Sequence, residues 1–327
     1  MKPVKMTDIE GVHMGNAQDT AGGTGCTVLL FPDGAPCGSD VRGGGPASRE
    51  SELLQPTAAA EYIHAILLSG GSAFGLDAAG GVMQYLSQQN IGFPTPVCRV
   101  PLVVASCIYD LACGANVHPD RAMGYAACKA AACNDVQEGN YGAGTGATVG
   151  KLCGDAYMMK SGLGMYAVQA GALQVGAVVA VNAVGDVLDE KNQILAGMLR
   201  PDGQGFAHTR RVMLEGSQQE TLFSGPLGGG TTNTTIAAVV TNGAFDKTRL
   251  KKIAAMAGNG MVRTICPVNT TADGDTVYAV STGTVPADVS TAGTIAAYVL
   301  EQAVRRAVLT AAPAYGLPSV QSLPWMS

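Results

Sequence analysis

The stretch Pro226-Leu227-Gly228-Gly229-Gly230-Thr231-Thr232-Asn233-Thr234-Thr235-Ile236-Ala237-Ala238-Val239-Val240-Thr241 changes character abruptly at its middle. Glycine and proline punctuate its first half, and a β-branched, apolar run fills its second. Thr235–Thr241 therefore reads as a strand buried on both faces. Downstream, Leu250, Ile253, Ala254, Ala257 and Met261 recur at helical spacing. Thr276–Ser281 reads as another strand. Ile295, Val299, Ala303, Val304 and Val308 mark an amphipathic C-terminal helix.

Upstream the same alternation continues. Cys26–Phe31 reads as a strand ended by Pro32-Asp33-Gly34, and Ala47–Leu54 as a short helix. Ala65–Leu68 is a buried strand that Gly70-Gly71 turns into a helix over Ser72–Leu86. Arg121–Cys133 is an alanine-rich helix with Asp120 as its cap. Gly164–Gln169 and Gln174–Val181 form a hairpin around Ala170-Gly171-Ala172. From Leu188 to Gly230 periodicity fades, which predicts a long polar excursion. Strands and helices mixed in this way point to a layered α/β domain with sheets covered by helices.

Of 327 residues, 47% are hydrophobic and only 14% charged, so a large core is affordable and disorder is excluded. Aromatics are scarce and glycines number 44, which predicts close backbone packing rather than a core of large rings. A net charge of −5 with no basic stripe argues against nucleic acid as a partner. No apolar run is long enough to span a membrane. The first residues lack the apolar segment of a signal peptide, so a cytoplasmic location with reduced thiols is expected. The nine Cys and four His show no metal-ligand spacing, so no metal is expected.

Thr234 sits where a glycine-rich loop meets a buried strand. A loop of that kind can strain a peptide bond while the strand holds the hydroxyl, which suits self-cleavage between Asn233 and Thr234. The cut would free an α-amine of ordinary pKa about 7.7–8.0, giving one residue both nucleophile and general base. A polar strand cap, and a glycosylation acceptor at Asn233 or Asn269, account for the same letters.

Four motifs in order narrow the choice. Asp40-Val41-Arg42-Gly43-Gly44-Gly45-Pro46 with Arg49-Glu50, Leu67–Ala79 (LLSGGSAFGLDAA), Gly142–Ala147 (GAGTGA) and Asn233-Thr234-Thr235-Ile236 resemble the signatures of the DmpA-like hydrolases. That family holds L-aminopeptidase/D-esterases, β-peptidyl aminopeptidases and nylon-oligomer hydrolases. The resemblance runs from about residue 8 to about residue 310, and a Thr after Asn is similar to the nylon-oligomer branch. It implies a four-layer αββα sandwich, one domain cut into residues 1–233 and 234–327. It also implies a homo-oligomer of the cleaved heterodimer, a tetramer, acting without cofactor on a small peptide or peptide-like amide.

The resemblance carries further residues with it. Lys151 would hold the nucleophile's amine neutral or bind the tetrahedral oxygen, and Asn182 would donate to that oxygen. Asp273 and Asp275 would orient the Thr234 hydroxyl and ammonium. Tyr141 would line the pocket, and the backbone of Gly70, Gly71 and Ser72 would help bind substrate. Three other readings stay open: acyl transfer to an amine acceptor, an uncleaved binding protein on the same fold, and a nucleotide site on Gly70–Gly75. The last lacks the Lys-Ser/Thr of a phosphate loop.

Overall fold

The computed structural model describes residues 1–216 and 233–325. Eleven strands build two sheets: β1 Lys2–Val4, β2 His13–Asp19, β3 Thr24–Ala35, β4 Cys37–Val41, β5 Ala47–Arg49, β6 Ile63–Ser69, β7 Val103–Cys107, β8 Leu163–Ala170, β9 Leu173–Asn182, β10 Thr234–Gly243 and β11 Thr276–Val285. The first sheet runs β1-β8-β9-β10-β11-β4 and the second β2-β3-β6-β7-β5. Within each, one parallel pair sits among antiparallel neighbours: β10 with β11, and β6 with β7. Each parallel pair is bridged by a helix, α4 (Lys247–Thr264) and α1 (Ala78–Gln88) respectively, because parallel strands need a crossover.

The period of two along each strand sorts the side chains into three cores. Val175, Ala177, Val179, Ala237, Val239, Val277 and Ala279 face α4 and α5 (Val289–Leu309). Their alternates Val178, Ala180, Ile236, Ala238, Val240 and Val280 meet Leu29, Phe31, Ile66, Leu68 and Val104 of the second sheet. Cys26, Val28, Leu30, Leu67 and Ala105 then face α1 and α2 (Arg121–Ala131). The order is helix, sheet, sheet, helix, as the resemblance implies. Between the sheets the Tyr278 hydroxyl and Ser106 Oγ lie 2.6 Å apart, a polar tie in an apolar layer.

Glycine sets the helix spacing. A Cβ on Gly81 would lie 1.9 Å from the Arg121 carbonyl, and one on Gly124 would lie 2.0 Å from that of Ala78. α1 and α2 thus pack backbone to backbone, which bears out the expectation drawn from composition. Asp120, Asp246 and Asp288 cap α2, α4 and α5 through side-chain bonds of 2.8–2.9 Å to Met123, Arg249 and Thr291 N–H.

Two expectations need correction. Ala47–Leu54 is not a helix: Ala47–Arg49 pairs with β7, and only Ser51–Leu54 turns, as a 3-10 segment. The pairing partner lies over fifty residues away, so local propensity could not reveal it. The Leu188–Gly230 excursion is partly ordered. Asp186–Leu188 and Ile194–Ala196 pair in a small sheet with Ile265–Cys266, and α3 covers Thr209–Glu215. The buried Asp186 carboxylate organises this unit by accepting the Thr209 N–H and hydroxyl at 2.7 and 2.6 Å and the Met198 N–H at 2.9 Å. The rest of that excursion, from residue 217, lies outside the described residues.

Candidate active site

β10 is an interior strand, so its first residue has a neighbour on each side. In the ladder Thr234 stands opposite Asn182, the last residue of β9. On the other side Asn233 bridges to Asp273, just before β11 begins. Position in the sheet therefore brings together three segments that are far apart in sequence. Thr234 and Asn233 are each 4% exposed.

The Thr234 hydroxyl donates to the carbonyl oxygen of Asn233, the bond expected to be cut. That oxygen also accepts the Gly274 N–H at 3.0 Å. A Cβ on Gly274 would lie 2.8 Å from Thr234 Oγ1, so a side chain there would collide with the hydroxyl.

The flanking carboxylates are buried and bonded to backbone. Asp275 takes the Thr235 N–H at 2.6 Å and the Asn269 N–H at 2.9 Å. Asp273 takes the N–H and hydroxyl of Thr270 at 2.7 and 2.6 Å. Burial pushes both above the usual carboxylate range, and for Asp275 the nearby Asp273 adds to the effect. Neither carboxylate holds the Thr234 hydroxyl in the intact chain, because that hydroxyl is turned to the Asn233 carbonyl.

Lys151 lies beyond Asn182. Its ammonium donates to the Asn182 carbonyl at 3.0 Å and to Asn182 Oδ1 at 2.8 Å. Burial lowers its pKa to about 7, although Asp273 pulls the other way. Asn182 Oδ1 also accepts the Thr148 N–H at 3.1 Å, and its Nδ2 donates to the Tyr109 carbonyl at 3.0 Å. One amide N–H of Asn182 is thus directed at Tyr109.

The structure gathers Asn233, Thr234, Asn182, Lys151, Asp273 and Asp275. The other expected residues stand differently. The N–H groups of Gly70, Gly71 and Ser72 are all engaged within the protein, by the Gly25 carbonyl, Asp110 Oδ1 and the Ile108 carbonyl. None of the three N–H groups is therefore left over as a free donor. Their contribution is to brace Ile108–Asp110, whose Tyr109 carbonyl meets Asn182. Tyr141 opens the Gly142–Gly144 turn and is 38% exposed. Among the described residues it forms no hydrogen bond with the buried cluster.

Sequence reasoning missed two charges. Lys160 is 0% exposed, and its ammonium donates to the carbonyls of Gly144 (3.0 Å), Ala147 (3.1 Å) and Ser161. Burial lowers its pKa to about 7. It pins the Gly142–Ala147 turn, and Thr148 next to that turn holds Asn182. Asp110 accepts the Gly71 N–H at 2.6 Å and the Thr24 hydroxyl at 2.8 Å, and burial raises its pKa to about 6. The faint signals were a lone Lys among Met158, Met159 and Gly162, and a lone Asp just after an apolar strand.

A hydroxyl at the head of an interior strand, turned to the preceding carbonyl and set in an αββα sandwich, is the architecture of the N-terminal-nucleophile hydrolases. The chain shares that fold and is a hydrolase. It belongs to peptidase family S58, which it matches over residues 5–320. It is 36% identical over 344 residues to an uncharacterized aminopeptidase of Mycobacterium tuberculosis, covering 97% of each chain. To the 6-aminohexanoate-oligomer endohydrolase of a Kocuria species it is 32% identical, covering 84% of this chain and 74% of the relative. The fold matches the L-aminopeptidase D-Ala-esterase/amidase of Ochrobactrum anthropi with a TM-score of 0.67 at 19% identity, over 94% of this chain and 86% of that one. A Burkholderia β-aminopeptidase matches with a TM-score of 0.65 at 20% identity, over the same shares. No helix among the described residues is long and apolar enough to cross a membrane.

Proposed function

We propose that this hydrolase cuts itself between Asn233 and Thr234, and that the new N-terminal Thr234 then hydrolyses small peptides or peptide-like amides bearing a free amine. The observation that carries the proposal is the Thr234 hydroxyl set against the Asn233 carbonyl. Its oxygen would add to that carbonyl carbon, and collapse would break the C–N bond, leaving an ester and a free Thr234 amine. Water would then release the Asn233 carboxylate. With a pKa near 7, Lys151 is partly unprotonated at neutral pH and suits the role of base in the uncut chain.

After the cut the Thr234 amine takes over as base, flanked by Asp273 and Asp275 as partners for its ammonium form. Substrate acylates Thr234 and water deacylates it. The names of the relatives, an aminopeptidase and a 6-aminohexanoate-oligomer hydrolase, support an amide with a free amine. The two pieces would stay together as one domain, because β10 and β11 are inserted between β9 and β4 of the first piece. On this proposal the processed protein is cytoplasmic and self-associates, as a tetramer.

Intact mass and N-terminal sequencing of wild type and Thr234→Ala test the proposal. Pieces of roughly 24 and 9 kDa, in proportion to length, are expected from wild type, with Thr234 leading the smaller. The variant should stay whole. A wild-type chain still intact after long incubation refutes self-cleavage.

A further inference from the structure

We infer that the backbone N–H of Gly274 is the oxyanion donor for self-cleavage, and that the Asp40–Pro46 segment is the element that positions it. The inference rests on the self-cleavage proposed above. When the Thr234 oxygen bonds to the Asn233 carbonyl carbon, negative charge develops on the carbonyl oxygen. The hydroxyl proton ends on the departing Thr234 nitrogen as the C–N bond breaks. A donor aimed at that oxygen before reaction needs no reorganisation during it. The Gly274 N–H already lies 3.0 Å from that oxygen.

Its aim is fixed from behind. The Arg42 and Gly43 N–H groups donate to the Asp275 carbonyl at 3.0 and 3.3 Å, and the Gly45 N–H donates to the Asp273 carbonyl at 2.9 Å. The Gly44 N–H holds the Thr270 carbonyl at 3.2 Å. Four successive donors of one segment thus clamp the backbone on both sides of Gly274. A Cβ on Gly43 would fall 2.3 Å from both the Asp273 carbonyl oxygen and the Asp275 nitrogen, so the clamp closes only because that residue is glycine. The carboxylates of Asp273 and Asp275, tied to Thr270, Thr235 and Asn269, fix the same loop from the front. Two roles follow: Gly274 touches the reacting oxygen, and Gly43 acts through it.

The decisive variant replaces residue 274 by glycolic acid through nonsense suppression, which turns the 273–274 amide into an ester, removing the N–H and weakening the Asp273 carbonyl as an acceptor for the Gly45 N–H. The same swap at Gly283, toward the far end of β11, is the control. Fragment appearance should slow about 10²–10³-fold in the first and stay near wild type in the second. Hydroxylamine, which captures an ester as the Asn233 hydroxamate, should give hydroxamate at the same slowed rate. Gly43→Ala should also slow the cut, and in intact Thr234→Ala carrying the same substitution the Gly274 N–H should exchange faster.

A folded 274 ester cutting at the wild-type rate overturns the inference alone, whereas a wild type that never cuts overturns the self-cleavage reading with it. Should the ester variant fail to fold, amide exchange in intact Thr234→Ala decides: a slowly exchanging Gly274 N–H is expected, and exchange at the unfolded-chain rate refutes the inference.

Discussion

Replacing Lys160 by Met should remove a pH dependence of stability whose size follows from the structure. Met is close in length and flexible enough to fill the site. Two of the three carbonyls it abandons keep a backbone partner: Gly144 accepts the Ala147 N–H at 3.2 Å, and Ala147 accepts the Ser161 N–H at 2.9 Å. The ordinary lysine pKa is 10.5 and burial brings Lys160 to about 7. Between those values the unfolded chain binds a proton that the folded chain does not, so stability rises with pH, by about 1.4 kcal/mol per unit once well above 7. Below 7 both states are charged and the cost of burying the ammonium is fully present. Integrated from pH 7 to 9, one such lysine adds about 2 kcal/mol.

Urea unfolding followed by circular dichroism at pH 6, 7, 8 and 9, in the Thr234→Ala background to keep one chain, reads this directly. Buried thiols such as Cys26, Cys37 and Cys107, whose pKa burial raises, oppose the trend as the unfolded thiols ionise. They contribute equally to both proteins and cancel in the difference. Lys160→Met should therefore lose about 2 kcal/mol relative to its parent between pH 7 and 9, with little relative change from 6 to 7. Parallel curves over the whole range would show that Lys160 titrates like a solvated lysine, and the account of its burial would fall.

Three further outcomes follow from the same geometry. Tyr278→Phe strands the buried Ser106 hydroxyl and should cost about 1–3 kcal/mol, while adding Ser106→Ala should recover much of that loss in a double-mutant cycle. Gly124→Ala forces α2 off α1 and should cost about 1–3 kcal/mol or more, read as a lowered urea midpoint; an unchanged midpoint would contradict the backbone contact. Asp273→Asn removes the carboxylate that most raises the pKa of Lys151, so the rise of the cleavage rate with pH, centred near 7 in wild type, should move to lower pH. An upward move in the rate profile would exclude Lys151 as the base.

The sequence by itself determined the strands and helices whose burial pattern is local. β10, α4, β11 and α5 follow one another in the chain, and each carries its own period, so the reading of residues 235–308 needed no partner information. The hairpin of β8 and β9 was equally legible, since Gly171, with φ at +62°, makes its turn. The four motifs, through their order along the chain, carried the family resemblance that singled out Thr234, Asn182, Lys151, Asp273 and Asp275.

Only the tertiary structure decided how those residues meet. β5 is a strand because β7 offers it an edge, a fact that three residues cannot announce. Lys160 and Asp110 are buried because distant segments close over them, and the sequence around each shows a single charge with no partner in view. The Gly70–Ser72 turn looked like a ligand cradle, yet its N–H groups are consumed by Gly25, Ile108 and Asp110. Gly274 is the clearest case. As a letter between two aspartates it reads as a turn, and only the register of β10 against β11 puts its N–H on the carbonyl of Asn233. Hydrogen-bond direction depends on strand register, and register here is set by pairings between residues about forty positions apart.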